Sequence, residues 1–136
     1  MPEIKAFIDT NVLVYLFSED AQKAHQAENI IRSGAMISVQ VLNELANVSR
    51  RKMKMSWPEV NEILALIKSI CPIEPLTIQV HDQGIALAAR YKISVYDGMI
   101  VSSALIAGCS LLYSEDMQHE LVVSQTLRIV DPFKGM

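Results

Sequence analysis

Four acidic residues of this 136-residue chain fall where alternating strands and helices would bring them to one place. Asp9 directly follows the apolar run Ile4–Ile8, and Asp116 lies just past Leu111–Tyr113. Glu44 sits early in the helix that follows a second strand, and Asp97 occupies the first turn of another helix, between Tyr96 and Gly98. Carboxylates gathered without matching lysines or arginines push one another toward protonation unless a positive charge lies among them. A hard divalent cation, Mg²⁺ or Mn²⁺, supplies that charge, prefers oxygen ligands and keeps several waters. Such ions activate a water, hold a phosphate and stabilise a leaving oxygen, so the set points to hydrolysis of phosphodiesters. Each acid also has a plainer use. Asp9 can cap a helix, Asp97 can complement a helix dipole, and Asp116 can form a turn beside Ser114 and Glu115. Glu44 could face solvent, although Leu42 and Leu45 beside it belong to an apolar stripe. The metal reading rests on the four together.

The elements that must position these acids follow from periodicity and caps. Ile4–Ile8 reads as a buried strand ending in the polar turn Asp9-Thr10-Asn11. Val12–Phe17 begins a helix that Thr10 or Asn11 can cap. A second helix fits Ala21–Arg32 with Gly34 as its stop, followed by a short strand at Ala35–Ser38. Val39–Lys54 is helical, with Val41, Leu42, Leu45 and Val48 as its apolar stripe. Ser56-Trp57-Pro58-Glu59 has the capping-box pattern and starts a helix to about Ile70. Cys71-Pro72 ends it, and Ile73–Leu76 forms a brief extended piece. Thr77 caps a helix through Arg90, and Ser94 caps one to Ala107 that stops at Gly108. Leu111–Tyr113 and Leu127–Val130 are further strands. The alternation predicts a parallel sheet covered on both faces, whose site lies beyond the carboxyl ends of its strands.

Composition narrows the class. Apolar residues make up 51% and charged residues 20% of the chain, as in a globular protein, and the length suits a single domain over residues 1–136. No apolar run is long enough to span a bilayer. The start Met-Pro-Glu-Ile-Lys lacks the layout of a signal peptide, so a cytoplasmic protein without membrane attachment is expected. Cys71 and Cys109 lack metal-knuckle spacing to each other or to His25, His81 and His119, and are read as small core residues. A net charge of −3 argues against a module that binds nucleic acid by electrostatics alone, but not against a nuclease whose carboxylates hold metal.

Phe7-Ile8-Asp9-Thr10-Asn11, Gln40-Val41-Leu42-Asn43-Glu44, Tyr96-Asp97 and Leu112-Tyr113-Ser114-Glu115-Asp116-Met117 occur in the order and spacing of the PIN-domain ribonucleases. The chain resembles in particular the VapC-type toxins of VapBC toxin–antitoxin pairs, over nearly its whole length. That resemblance implies a flavodoxin-like α/β/α sandwich, dependence on Mg²⁺ or Mn²⁺, and endonucleolytic cleavage of RNA. By position, Asp9, Glu44, Asp97 and Asp116 match the family's acidic quartet. Asn11 and Ser114 match the polar positions that orient those acids. Asp9, Asp97 and Asp116 are the expected direct ligands, and Glu44 either binds metal or positions the attacking water. Gly98 stands where relatives often carry Ala, at a helix-propensity cost of about 1 kcal/mol. The resemblance also implies a homodimer and a cognate antitoxin.

Arg50, Arg51, Lys52 and Lys54 form the one dense basic cluster. It is either a solvated helix end or a rail for the RNA backbone. Met53, Met55 and Trp57 beside it are expected to pack in the interior, or else to meet an antitoxin segment. His119 could touch a phosphate or act as an acid, though a lone histidine there is more often neither. Two other functions fit parts of the pattern. A haloacid-dehalogenase-like phosphatase could use Asp9 as nucleophile, but that chemistry wants a second Asp where this chain has Asn11, and a lysine late in the chain near the acids. A non-catalytic RNA- or protein-binding module would leave four acids as uncompensated repulsion.

Overall fold

The computed structural model describes residues 5–136. Strand β1 (Ala6–Ile8) runs into a short helix α1 (Thr10–Val14), which tightens into a 3₁₀ turn over Tyr15–Phe17. There follow α2 (Ala21–Arg32), β2 (Ile37–Ser38), α3 (Val39–Arg51), α4 (Trp57–Ile70) and β3 (Ile73–Glu74). The second half comprises α5 (Ile78–Tyr91), α6 (Val95–Ile106), β4 (Leu111–Tyr113), β5 (Val122–Val123) and β6 (Leu127–Val130).

The main sheet has the order β1-β4-β6-β5, with the first three strands parallel and β5 antiparallel at the edge. A parallel β2–β3 pair continues beside β1 through a bridge between Phe7 and Met36. Phe7 and Ile8 are adjacent in β1 and so point to opposite faces, yet both are fully buried. Both faces of the sheet are therefore covered, as in an α/β/α sandwich. Helix α6 is buried along the continuous run Gly98–Ala104, which accounts for its lack of a polar face.

Most predicted elements appear, with local corrections. Ile4, the expected start of β1, lies outside the described residues. The cap of α1 is Asp9, whose side chain accepts from the Thr10 amide; the oxygens of Thr10 and Asn11 are used elsewhere. Helix α3 ends at Arg51, and Lys54 lies beyond it in the left-handed region at φ 54°. Ser56 and Glu59 form the expected reciprocal capping box. Strand β5 was not anticipated, because two residues at an edge carry too little periodicity to show.

The register fixes the working edge. Ile8 pairs with Tyr113, and the Asp9 amide donates to the Tyr113 carbonyl at 2.9 Å. Asp9 and Ser114 thus leave neighbouring strands side by side, at their carboxyl ends. Helix α3 starts at this edge because β2 ends in Ser38, whose hydroxyl accepts from the Val41 amide and caps the helix.

Candidate active site

A cleft of about 360 Å³ opens at the carboxyl edge, and Asp9, Glu44, Asp97 and Asp116 all line it. They come from the end of β1, α3, the first turn of α6 and the loop after β4. Asp9 is buried, Glu44 and Asp97 are half-buried, and Asp116 is exposed.

Asp9 is held by donors on both oxygens. Oδ1 accepts from the Thr10 amide at 2.7 Å, and Oδ2 accepts from the Ser114 hydroxyl at 2.7 Å and Asn11 Nδ2 at 3.1 Å. Asn11 Oδ1 in turn accepts from the Glu115 amide at 3.0 Å, so Asn11 and Ser114 tie the β1 edge to the loop carrying Asp116. Burial nevertheless dominates and pushes the Asp9 carboxyl up to about 7; the nearby charges of Asp97 and Glu44 add to the rise, while the Ser114 and Thr10 bonds oppose it. Asp97 is raised as well, first by burial and then by Glu44 and Asp116, against a hydrogen bond from Ser94. The acids therefore sense one another's charge.

Glu44 accepts from the Thr10 hydroxyl at 3.1 Å and from Gln40 Nε2 at 3.0 Å. Neither is named from sequence as a partner of Glu44, although Gln40 lies one turn before it and faces the same way. Glu115 also lines the cleft. It accepts from Tyr15 Oη at 2.7 Å and pairs with Lys23 Nζ at 3.4 Å, anchoring the loop to α2.

Among the described residues, no three His, Cys, Asp or Glu side chains stand close enough to hold an ion as they are. The donor set still fits a hard dication. Mg²⁺ is commonly bound by one or two carboxylates with water completing its shell. Asp9, Glu44, Asp97 and Asp116, which line one cleft, are the carboxylates that could hold such an ion.

The basic cluster divides. Glu44, Val48 and the C-cap residue Lys52 recur every fourth residue, so one stripe of α3 and its cap runs along the cleft. Arg50 instead donates to the Met55 carbonyl at 2.7 Å and lies 4.6 Å from the Trp57 ring centroid, so it braces the joint between α3 and α4. Arg51 and Lys54 are exposed and do not line the cleft. Interior packing does not hold for Trp57, which is 60% exposed with Arg50 over its ring, while Met53 and Met55 are half-buried. His119 lies apart from the cleft. Its Nδ1 accepts from the Asp131 amide, and its Nε2 is 3.4 Å from Glu120.

A family model described as "PIN domain" matches residues 6–123. Among curated proteins no sequence matches significantly. Solved structures of similar fold include a toxin–antitoxin complex from Klebsiella pneumoniae, with a TM-score of 0.71 and 18% identity over 95% of this chain and 98% of that one. VapC20 of Mycobacterium tuberculosis, described as a Sarcin-Ricin loop cleaving toxin, gives a TM-score of 0.67 and 21% identity over 82% and 90%. VapBC2 of Rickettsia felis, bound to a fragment of promoter DNA, gives 0.67 and 19% over 94% and 100%. With the family model spanning most of the sequence and the four acids gathered at the sheet edge, the chain belongs to the PIN domain family.

Proposed function

We propose that the protein is a divalent-metal-dependent endoribonuclease and the toxin of a toxin–antitoxin pair. The observation that carries this reading is the cleft itself: Asp9, Glu44, Asp97 and Asp116 from four separate elements line it together with Glu115, against one cation, Lys52, in the lining. Similarity to toxin–antitoxin complexes supports the pairing with an antitoxin. The family resemblance and the description of VapC20 as a Sarcin-Ricin loop cleaving toxin support RNA as the substrate.

Bound Mg²⁺ or Mn²⁺ would supply the charge that activates water and offsets the phosphate. Asp9, held by Ser114, Asn11 and Thr10, gives the site a fixed carboxylate. Asp97 and Asp116 face it from α6 and the β4 loop. Glu44, oriented by Thr10 and Gln40, stands where it can accept a proton from the attacking water. Lys52 contacts a backbone phosphate of the RNA beside the cleft.

The test is incubation of the purified protein with structured RNA and Mg²⁺ or Mn²⁺, with and without chelator, beside Asp9→Asn and Asp97→Asn. Internal cleavage that needs metal and is lost in both variants is expected. Intact RNA with hydrolysis of a small phosphomonoester would favour a phosphatase. Metal-independent RNA binding without cutting would favour a binding module.

A further inference from the structure

A second cleft adjoins the acidic one and shares Glu44 and Asp97 with it. Its volume is about 510 Å³, within the roughly 300–1,000 Å³ usual for small-ligand clefts. Apart from the two shared acids, its lining is neutral: Gln40, Asn43 and Asn47 of α3, with Ser94 and Tyr96 at the start of α6. We infer that this amide-lined cleft is a base-reading subsite, in which Asn43 and Asn47 hydrogen-bond the edge of an unpaired RNA base and Tyr96 stacks on its face.

Helical geometry supplies the first argument. Residues 44, 48 and 52 line the acidic cleft, while 40, 43, 44 and 47 turn the adjoining stripe of α3 toward the second. Gln40 already donates to Glu44. Asn43 and Asn47 are exposed, so their amides are open to a ligand. A side-chain amide offers a donor and an acceptor side by side, the pattern that pairs with a base edge such as N6 and N7 of adenine.

Tyr96 supplies the second. It is 65% exposed although aromatic, and single-stranded RNA is read by stacking splayed bases on aromatic rings while their edges are hydrogen-bonded. Charge supplies the third. A phosphate in the second cleft would face Glu44 and Asp97 with no cationic side chain in the lining; a neutral base would not. A nucleotide whose phosphate lies at the acidic cleft carries its base one sugar away, toward this neighbouring space.

The inference rests on the ribonuclease reading, and two measurements separate their failures. The first sequences the cut sites made in a randomised single-stranded RNA by the wild type, Asn43→Ala, Asn47→Ala, Tyr96→Ala and Tyr96→Phe. A base preference at one position beside the cut is expected. It should flatten in both asparagine variants. Tyr96→Ala should lower kcat/KM about tenfold or more, and Tyr96→Phe should retain most of it. The second follows the Asn43 and Asn47 side-chain amides by NMR during titration with the four nucleoside 5′-monophosphates, a readout that needs no cleavage. Their resonances should move, and for one base most strongly. Cut profiles that superimpose across all variants, or amides that no nucleotide shifts, would overturn the subsite. A wild type that cuts no RNA would overturn the ribonuclease reading, with the NMR arm still deciding whether a base binds here.

Discussion

Asp9 accepts three hydrogen bonds and still has its carboxyl pushed up to about 7, because burial outweighs the donors. The unfolded chain would release that proton near 3.9. Without a cation, the folded state therefore binds the proton more tightly. The stabilisation this gives is full below about pH 4 and is lost as pH rises through about 7. A dication displaces the proton and reverses the penalty, binding only the folded form. The gain in Tm on adding Mg²⁺ should accordingly grow between about pH 5 and pH 8, as scanning calorimetry at each pH would show. Asp97→Asn removes a carboxylate raised by burial, Glu44 and Asp116, so it should raise the Tm of the metal-free protein by a few degrees while abolishing cleavage. Asp9→Asn should gain less, since an amide nitrogen in place of Oδ2 would confront the Asn11 donor. Capping and site membership are alternatives for Asp9 in the sequence, but its side chain caps α1 while also lining the cleft.

Among the basic residues, place on the helix decides the role. Lys52→Ala should make the salt dependence of RNA binding shallower by about 0.7 in the log–log slope, one phosphate contact on a single strand. Arg51→Ala should leave the slope unchanged. Fluorescence anisotropy over a salt series checks both, and equal effects would mean that the cluster acts as a diffuse field.

At the scale of elements, Gly98 shows what propensity alone misses. An alanine there would improve the helix by about 1 kcal/mol. Yet a Cβ on Gly98 would lie 2.4 Å from the Gly84 carbonyl oxygen of α5, and backbone cannot yield as a side chain can. Gly98→Ala should therefore destabilise the protein by about 1–3 kcal/mol, measured by denaturant unfolding. It should also lower activity, because the helix that must shift carries Asp97. Sequence patterns revealed the caps at Ser56, Thr77 and Ser94, since a hydroxyl before an amphipathic run has a local cause. They could not reveal that α5 and α6 meet at two glycines, which depends on residues distant in the chain. The contact of Thr10 with Glu44 escaped notice for the same reason, since it forms only once α1 and α3 are packed together; that of Gln40 is local to α3, one turn before Glu44.

For the whole molecule, the order of strands and helices and the edge where Asp9 and Asp116 emerge were legible in the sequence, because buried parallel strands appear as short apolar runs. The antiparallel edge strand β5 and the division of the basic cluster were not. A net charge of −3 and an acid-lined cleft with one lysine in its lining make the bare protein a poor ligand for RNA. Its affinity for a short RNA should be weak in chelator and rise with Ca²⁺ or Mg²⁺, and strong metal-independent binding would place the RNA on another surface. Calorimetric titration of Mn²⁺ into the wild type and into Asp9→Asn, Glu44→Gln, Asp97→Asn and Asp116→Asn tests most directly whether the quartet acts as one cation site. The wild type should bind the ion, with loss of about tenfold or more in affinity for each aspartate variant and a smaller loss for Glu44→Gln. Unchanged affinity in any two of the aspartate variants would contradict a shared site.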